Sequence, residues 1–400
     1  MAKFHRLPSI VLIFNSCLLT SKTFIMSETI KQQDDVVDDH LTLRLVSTVF
    51  RHGDRTMDKQ MNRESYPNDP YNGRSFYPVS DGDLTNIGKK RAYEFGLLLR
   101  KKYNKFLGDL YYPPNVYARS TWVPRTKMTL QLVLAALYPP VEVQKWNSKL
   151  SWQPVDMIYF PLDEDYLLFS IRCPIYNDIY KNVLQNAEVK KKIEQFDDLM
   201  EITSNYTGTN ITNLLGLTRL YSILHAESSM GLDLPKWTQD IFPNGQLLNA
   251  TLLFFDLLSY DQLNNLNGGV LLNRLIDDMN KVIKGTLNRK INLFSAHDMN
   301  VSGLLLALNI SKRHFPEFTS SVIIELHERD EKYFVKIIYY LGIPSKMLEV
   351  SIPGCEVLCP YDKFIELTKN TTKTFKQSCN YPENQKVDKS RTFTPFNDSI

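Results

Sequence analysis

Residues 41–50 (LTLRLVSTVF) run without a break into Arg51-His52-Gly53-Asp54-Arg55-Thr56. The run is rich in Leu, Val and Thr, with Leu41, Leu43 and Leu45 alternating, which predicts a buried strand. A strand that ends directly in a short cationic loop points to an α/β sheet, where ligands bind outside the carboxyl ends of the strands. Gly53 lets the backbone bend tightly beside His52. Two further segments repeat the layout. Residues 115–118 lead into Arg119-Ser120-Thr121, and residues 291–296 (INLFSA) lead into His297-Asp298. Helical patterns follow, and helix N-termini favour anions through free N–H groups and the helix dipole. Guanidinium forks match phosphate oxygens. Loading these strand ends with Arg51, Arg55 and Arg119 therefore makes a phosphate site the natural inference.

The remaining chain fits around this frame. Helices are expected over 84–103, from Pro124 through residue 137, and over 301–308; Pro139 and Pro140 stop the second. Residues 321–327 and 333–340 read as strands joined near Asp330. Residues 141–290 read as mostly helical with long loops. The expected organisation is an α/β domain from 41–140 and 291–380 with a mainly helical insertion, 141–290, as a smaller cap. No internal repeat or low-complexity tract interrupts it.

Composition narrows the function classes. The 400-residue chain is 43% apolar and 23% charged, which excludes a disordered or fibrous protein. A formal net charge of +3 argues against a nucleic-acid binder, which should be strongly basic. Lys3 and Arg6 precede an apolar run, residues 10–19, that is shorter than a membrane span and reads as a secretory signal over 1–25. Its removal would take Lys3, Arg6 and Lys22, leaving 44 basic against 44 acidic side chains. No later stretch is apolar and long enough to span a bilayer, so a secreted, extracellular protein is expected, with lysosomal delivery as the alternative. Beyond Cys17, four cysteines remain: Cys173, Cys355, Cys359 and Cys379. An even number suits an oxidising compartment. Three pairings are open; Cys355 with Cys359 would close a small loop, and Cys173 with Cys379 would tie the middle of the chain to its tail. One close cysteine pair without a matching histidine cluster does not suit zinc, and no cofactor is implied. Sequons occur at Asn205, Asn210, Asn249, Asn300, Asn309, Asn370 and Asn397, and the polar loop holding Asn205 and Asn210 offers the best acceptors.

Taken singly, each site residue has a structural reading. A histidine after a strand is commonly a satisfied structural residue, and an arginine there is commonly a surface charge. The joint pattern overturns this, because three separated segments all end strands with phosphate-type residues. His40, His225, His314 and His327 lack that company and read as structural or surface residues. A phosphate ringed by arginines without a metal cluster invites covalent catalysis by imidazole. His52 is then the nucleophile, and Arg51, Arg55, Arg119 and His297 hold the phosphoryl oxygens. Asp298 protonates the leaving oxygen and then activates water.

The ordered set RHGDRT, LTNIGKKRAYEFGLLLRKKY, VYARSTWVPRT, LPKW, SAHDMN and PGCEVLCP resembles the histidine acid phosphatases. The likeness is to the prostatic and lysosomal type, which includes secreted insect venom enzymes. It extends from about Leu41 to Cys379. It implies a mixed sheet flanked by helices with a smaller helical cap, no metal cofactor, and the same six site residues in the same roles. It also implies a phosphomonoesterase working through a phosphohistidine. The expected substrates are small-molecule or protein phosphomonoesters. A homodimer is the one macromolecular assembly left open. Two alternatives are a phytase-like enzyme, which would want a more basic pocket, and a catalytically weakened venom-type protein, which the intact constellation opposes. The chain departs from the family pattern at Met57 (usually Pro), Arg91 (often Gln), Trp122 and Pro124 (both usually acidic) and Met299-Asn300 (commonly Thr-Thr). One of the usual disulfides is absent.

Overall fold

A computed structural model of the protein describes residues 41–58, 65–310 and 313–379. The expected signal, Cys17, His40 and the sequon at Asn397 lie outside the described residues. Seven strands form one sheet: β1 (Thr42–Arg51), β2 (Val116–Ser120), β3 (Ile291–Ala296), β4 (Ser321–Arg329), β5 (Lys332–Tyr340), β6 (Met347–Val350) and β7 (Leu358–Pro360). Their order is β2-β3-β1-β4-β5-β6, with β7 also paired to β5. β1 and β2 both run parallel to β3, whereas β4 lies antiparallel to β1 and the remaining pairs are antiparallel. The sheet is therefore mixed, as expected. β6 and β7 are absent from the sequence reading because four and three residues are too few to show a period.

The helices are α1 (Asn86–Leu107), α2 (Pro124–Leu137), α3 (Tyr176–Gln185), α4 (Ala187–Glu194), α5 (Asp197–Thr207), α6 (Leu214–Ser229), α7 (Gln246–Leu257), α8 (Asp261–Asn264), α9 (Val270–Ile283), α10 (Asp298–Ala307), α11 (Tyr361–Thr368) and α12 (Phe375–Cys379). β1 explains the layering. Leu45 and Val49 pack with Leu275 and Met279 of α9, Leu304 of α10 and Phe364 of α11. Val46 and Phe50 pack with Phe95 and Leu99 of α1 and Leu130 and Val133 of α2. Both faces of β1 are thus covered, which is why residues 45–51 are buried without alternation. A third apolar cluster joins α5, α6 and α7 through Leu199, Leu217, Leu224, Leu247 and Phe254. Both expected disulfides are formed, Cys173–Cys379 and Cys355–Cys359.

The parallel register positions the site. Arg51 lies beside Ala296, and Ser120 beside Ser295, so three carboxyl ends share one edge. Backbone hydrogen bonds extend the match past the strands: His52 N donates to Ala296 O at 3.0 Å, and Thr121 N to Ser295 O at 3.3 Å.

Candidate active site

The loop after β1 is pinned to α1. The N-cap hydroxyl of Thr85 accepts from Gly88 N at 3.1 Å, and Thr85 N donates to the Asp54 carbonyl at 3.0 Å. A Cβ at Gly53 would stand 2.5 Å from the Gly88 carbonyl oxygen, so the loop and helix touch backbone to backbone. Arg91, one turn along, pairs with the buried carboxylate of Asp54 at 2.9 Å. This gives the departure at Arg91 a local purpose. Met57, where proline is usual, is fully buried in the cluster of α5–α7.

His52 Nδ1 lies 2.8 Å from the Gly53 carbonyl oxygen. A carbonyl only accepts, so Nδ1 carries the hydrogen and Nε2 the lone pair. Burial holds the His52 imidazole well below its ordinary pKa, and the charges of Arg125, Arg51, His297 and Arg55 push the same way. The neutral form of His52 is therefore favoured. The rings of His52 and His297 lie 5.5 Å apart, edge to face.

Arg51 is almost completely buried, 4.2 Å from the Phe318 ring centre and 4.8 Å from that of Phe315. It donates to the Pro316 carbonyl at 2.7 Å and pairs with Asp298 Oδ2 at 3.1 Å. Arg55 is also buried, and its Nη1 donates to the Thr56 carbonyl at 3.0 Å.

Asp298 opens α10. The sequence pattern places that helix three residues later, because it reads His297-Asp298 as loop. The difference comes from Asn300, whose side-chain oxygen accepts from His297 N at 3.1 Å and lets the helix begin at Asp298. Burial raises the Asp298 pKa, but Arg51, His297, the Met299 N–H and Arg55 together hold it below the usual value. Without a bound phosphate Asp298 is thus a carboxylate. His297 is lowered to about 3, by burial first and then by Arg125, against the opposing charge of Asp298. Its Nε2 lies 3.2 Å from Thr121 Oγ1.

Arg119 has a different neighbourhood. It lies inside β2, which extends two residues beyond the expected strand. Its guanidinium donates to the fully buried carboxylate of Asp165 and lies 4.4 Å from the Phe160 ring centre. The group that the fold brings to His52 from the RSTWVPRT segment is Arg125, whose Nε donates to His52 Nε2 at 3.2 Å. Sequence reasoning passed over Arg125. Its one signal is position: it follows Pro124 in the first turn of α2, the helix that leads away from a site strand. Trp122 is 45% exposed. Three other histidines have protein partners: His225 with Glu317, His314 with Tyr339 and His327 with Glu325. Among the described residues no cluster of histidine, cysteine and acidic side chains could hold a metal ion.

Comparison with known proteins agrees with this geometry. The family model described as "Histidine phosphatase superfamily (branch 2)" matches residues 42–340. The chain is 43% identical to the venom acid phosphatase of Apis mellifera over 338 residues, covering 84% of this chain and 87% of that one. It is 33% identical to prostatic acid phosphatase of Homo sapiens, over 81% of this chain and 84% of that one. With lysosomal acid phosphatase of Rattus norvegicus it shares 33% identity, over 82% and 78% of the two chains. Among solved structures, Hafnia alvei phytase in complex with myo-inositol hexakis sulphate superposes with a TM-score of 0.63 at 16% identity, over 86% of this chain and 99% of that one. At that identity the likeness concerns the fold alone.

Proposed function

The chain belongs to the histidine phosphatase superfamily, branch 2, and from that membership we propose that it hydrolyses phosphate monoesters as an acid phosphatase through a phosphohistidine on His52. The observation that carries this reading is the bond from His52 Nδ1 to the Gly53 carbonyl. It fixes the tautomer and leaves Nε2 as the nucleophile, beside arginines that disfavour its protonation.

In the proposed cycle, Nε2 attacks phosphorus while the ester P–O bond breaks. Arg51, Arg55 and His297 bind phosphoryl oxygens and stabilise the charge they gain in the transition state, whereas Arg119, expected in the same set, is held by the buried Asp165 carboxylate. Asp298 supplies the proton to the leaving oxygen. It is ionised while Arg51 neutralises it. A phosphate that shares the Arg51 guanidinium and adds negative charge beside Asp298 raises its affinity for a proton. Protonated Asp298 then faces the leaving group. Its carboxylate afterwards takes a proton from the water that attacks the phosphohistidine and releases inorganic phosphate. Segment 141–290 acts as a cap limiting which alcohols enter. Delivery to the exterior or the lysosome belongs to the same proposal. It is supported by the exposure of Asn205, Asn210, Asn249, Asn309 and Asn370 as glycan acceptors, whereas Asn300 is buried and spends its amide on the Leu168 carbonyl.

The test is hydrolysis of an aryl phosphate from pH 4 to 8, with and without a chelator, joined to rapid-quench detection of phosphohistidine. Wild type should turn over without metal and label His52. His52→Ala should do neither. An active His52→Ala, or activity lost with the chelator, overturns the proposal.

A further inference from the structure

Arg51, which neutralises Asp298, is wrapped by a short segment that leads into β4. The Pro316 carbonyl accepts from its Nη1 at 2.7 Å, and its guanidinium carbon lies 4.2 Å from the Phe318 ring centre and 4.8 Å from that of Phe315. The backbone of the same segment holds both residues at the end of β1. Thr319 N donates to the His52 carbonyl at 3.1 Å, and Arg51 N donates to the Ser320 carbonyl at 2.9 Å. Ser320 N donates in turn to the Glu317 carbonyl at 3.0 Å, closing a tight turn in which Thr319 has a φ of 61°. A β-branched residue takes up that conformation only where its surroundings impose it.

The side chain of Glu317 ties this turn to α6, in segment 141–290. Its Oε2 lies 3.0 Å from His225 Nε2. Burial opposes the Glu317 charge, yet the bond to His225, and then the charges of His225, Arg51 and Arg91, hold its pKa below the ordinary value. A carboxylate only accepts, so His225 donates through Nε2–H. Among the described residues His225 Nδ1 has no hydrogen-bond partner, so the bond to Glu317 is what orients the ring. The ring centre lies 4.8 Å from that of Phe318 and 5.2 Å from that of Phe315, and it stacks on Tyr221 of its own helix at 6.0 Å. His225 and Arg51 therefore pack against the same two phenylalanines. We propose that His225 and Glu317 are a positioning pair, which fixes the turn around Arg51 and so makes α6 part of the geometry that meets the transferring phosphoryl group. The pair acts through Arg51. Without its hydrogen bond the turn loses its tether to α6, and the Pro316 carbonyl and Phe318 ring no longer fix the direction of the guanidinium. The effect falls on kcat, because Arg51 answers charge that grows in the transition state. The inference rests on Arg51 binding phosphoryl oxygens.

Two readouts test it on the purified full chain: kcat and KM for an aryl phosphate, and the calorimetric Kd of orthovanadate, which mimics the five-coordinate phosphoryl group. His225→Phe keeps the ring packing and removes the donor. Its kcat should fall about 10- to 100-fold, the scale of a misplacement near 1 Å, with KM within about threefold. Vanadate should bind more weakly by a similar factor. His225→Gln, whose amide can donate to Glu317, should recover most of both losses. Arg51→Ala supplies the background that separates positioning from structure. There His225→Phe should weaken vanadate binding by no more than about threefold further, because nothing remains to be positioned; a merely structural defect would multiply the two losses. If His225→Phe does not fold, Glu317→Leu carries the same measurements. A kcat within about threefold of wild type, or losses that multiply, overturns the pair alone. An Arg51→Ala protein with near wild-type kcat and vanadate affinity overturns the reading of Arg51 as a phosphate ligand, and this inference with it.

Discussion

Replacing Gly88 with alanine should damage catalysis more than stability. Gly88 is the third residue of α1. A glycine in a helix interior is about 1 kcal/mol worse than alanine, so propensity alone predicts a more stable protein. Contact geometry predicts otherwise. A Cβ at Gly88 would stand 2.0 Å from the Asp54 carbonyl oxygen and 2.6 Å from Asp54 N. An ordinary C···O contact is about 3.4 Å, so helix and loop must part by about 1.4 Å. The obstacle is backbone, and no rotamer change relieves it. Overpacking of this kind costs roughly 1–3 kcal/mol. Set against the propensity gain, the net loss is about 0–2 kcal/mol. Asp54, however, lies two residues after His52 and shares its loop with Arg55. Misplacing catalytic groups by about 1 Å can cost 10²-fold in rate. Gly88→Ala should therefore stay folded while kcat for an aryl phosphate falls about 100-fold. Lys90→Ala, on the exposed face of the same helix, should leave kcat unchanged. The assay is steady-state kinetics beside thermal unfolding. A Gly88→Ala protein with near wild-type kcat and a raised Tm would refute the reasoning, because the helix would then have absorbed the methyl without moving the loop.

Asp298→Asn keeps the side chain's shape but cannot donate an acidic proton, so kcat/KM for alkyl phosphates should fall far more than for nitrophenyl phosphate; equal losses would remove Asp298 from the acid role. His52 and His297 are both depressed in the folded state, His297 to about 3. Below the unfolded value near 6.5 the unfolded chain takes up protons that the folded chain refuses, so stability is full above pH 6.5 and falls as pH drops toward 3. For His297 the loss by pH 5 is roughly 2 kcal/mol. Urea unfolding of wild type in phosphate-free buffer should show a larger drop from pH 7 to 5 than His297→Asn, and equal drops would contradict the shift. The two disulfides should differ in weight. Closing 206 residues constrains the unfolded chain by about 5 kcal/mol, and closing four by about 2. Denaturant titration should find the Cys173→Ser/Cys379→Ser pair the more damaging, and the reverse order would count against the chain-entropy account.

The features legible in the chain are local ones. A buried strand announces itself by apolar β-formers, and RHGDR and HD announce a site because they follow such strands directly. The mixed α/β class could be named without coordinates, and so could the strand ends that carry Arg51, His52, His297 and Asp298, whereas the cysteine pairing stayed open among three. Helix starts and the last two strands were less legible: Asn300 moved the start of α10, and β6 and β7 are too short to show a period. What only the tertiary structure decided concerns groups distant in sequence. Arg51 ionises Asp298 across 247 positions because β1 and β3 lie side by side in parallel. Arg119 lies against Asp165, and Arg125 reaches His52 instead, because the strand carries one residue and the first turn of α2 aims the other. Gly88 must lack a side chain because α1 crosses the catalytic loop backbone to backbone. Strand and helix patterns come from short-range periodicity, which a sequence records. Which charge neutralises which, and which hydrogen occupies a lone pair, depends on separations of a few ångströms that exist only once the sheet has closed its register.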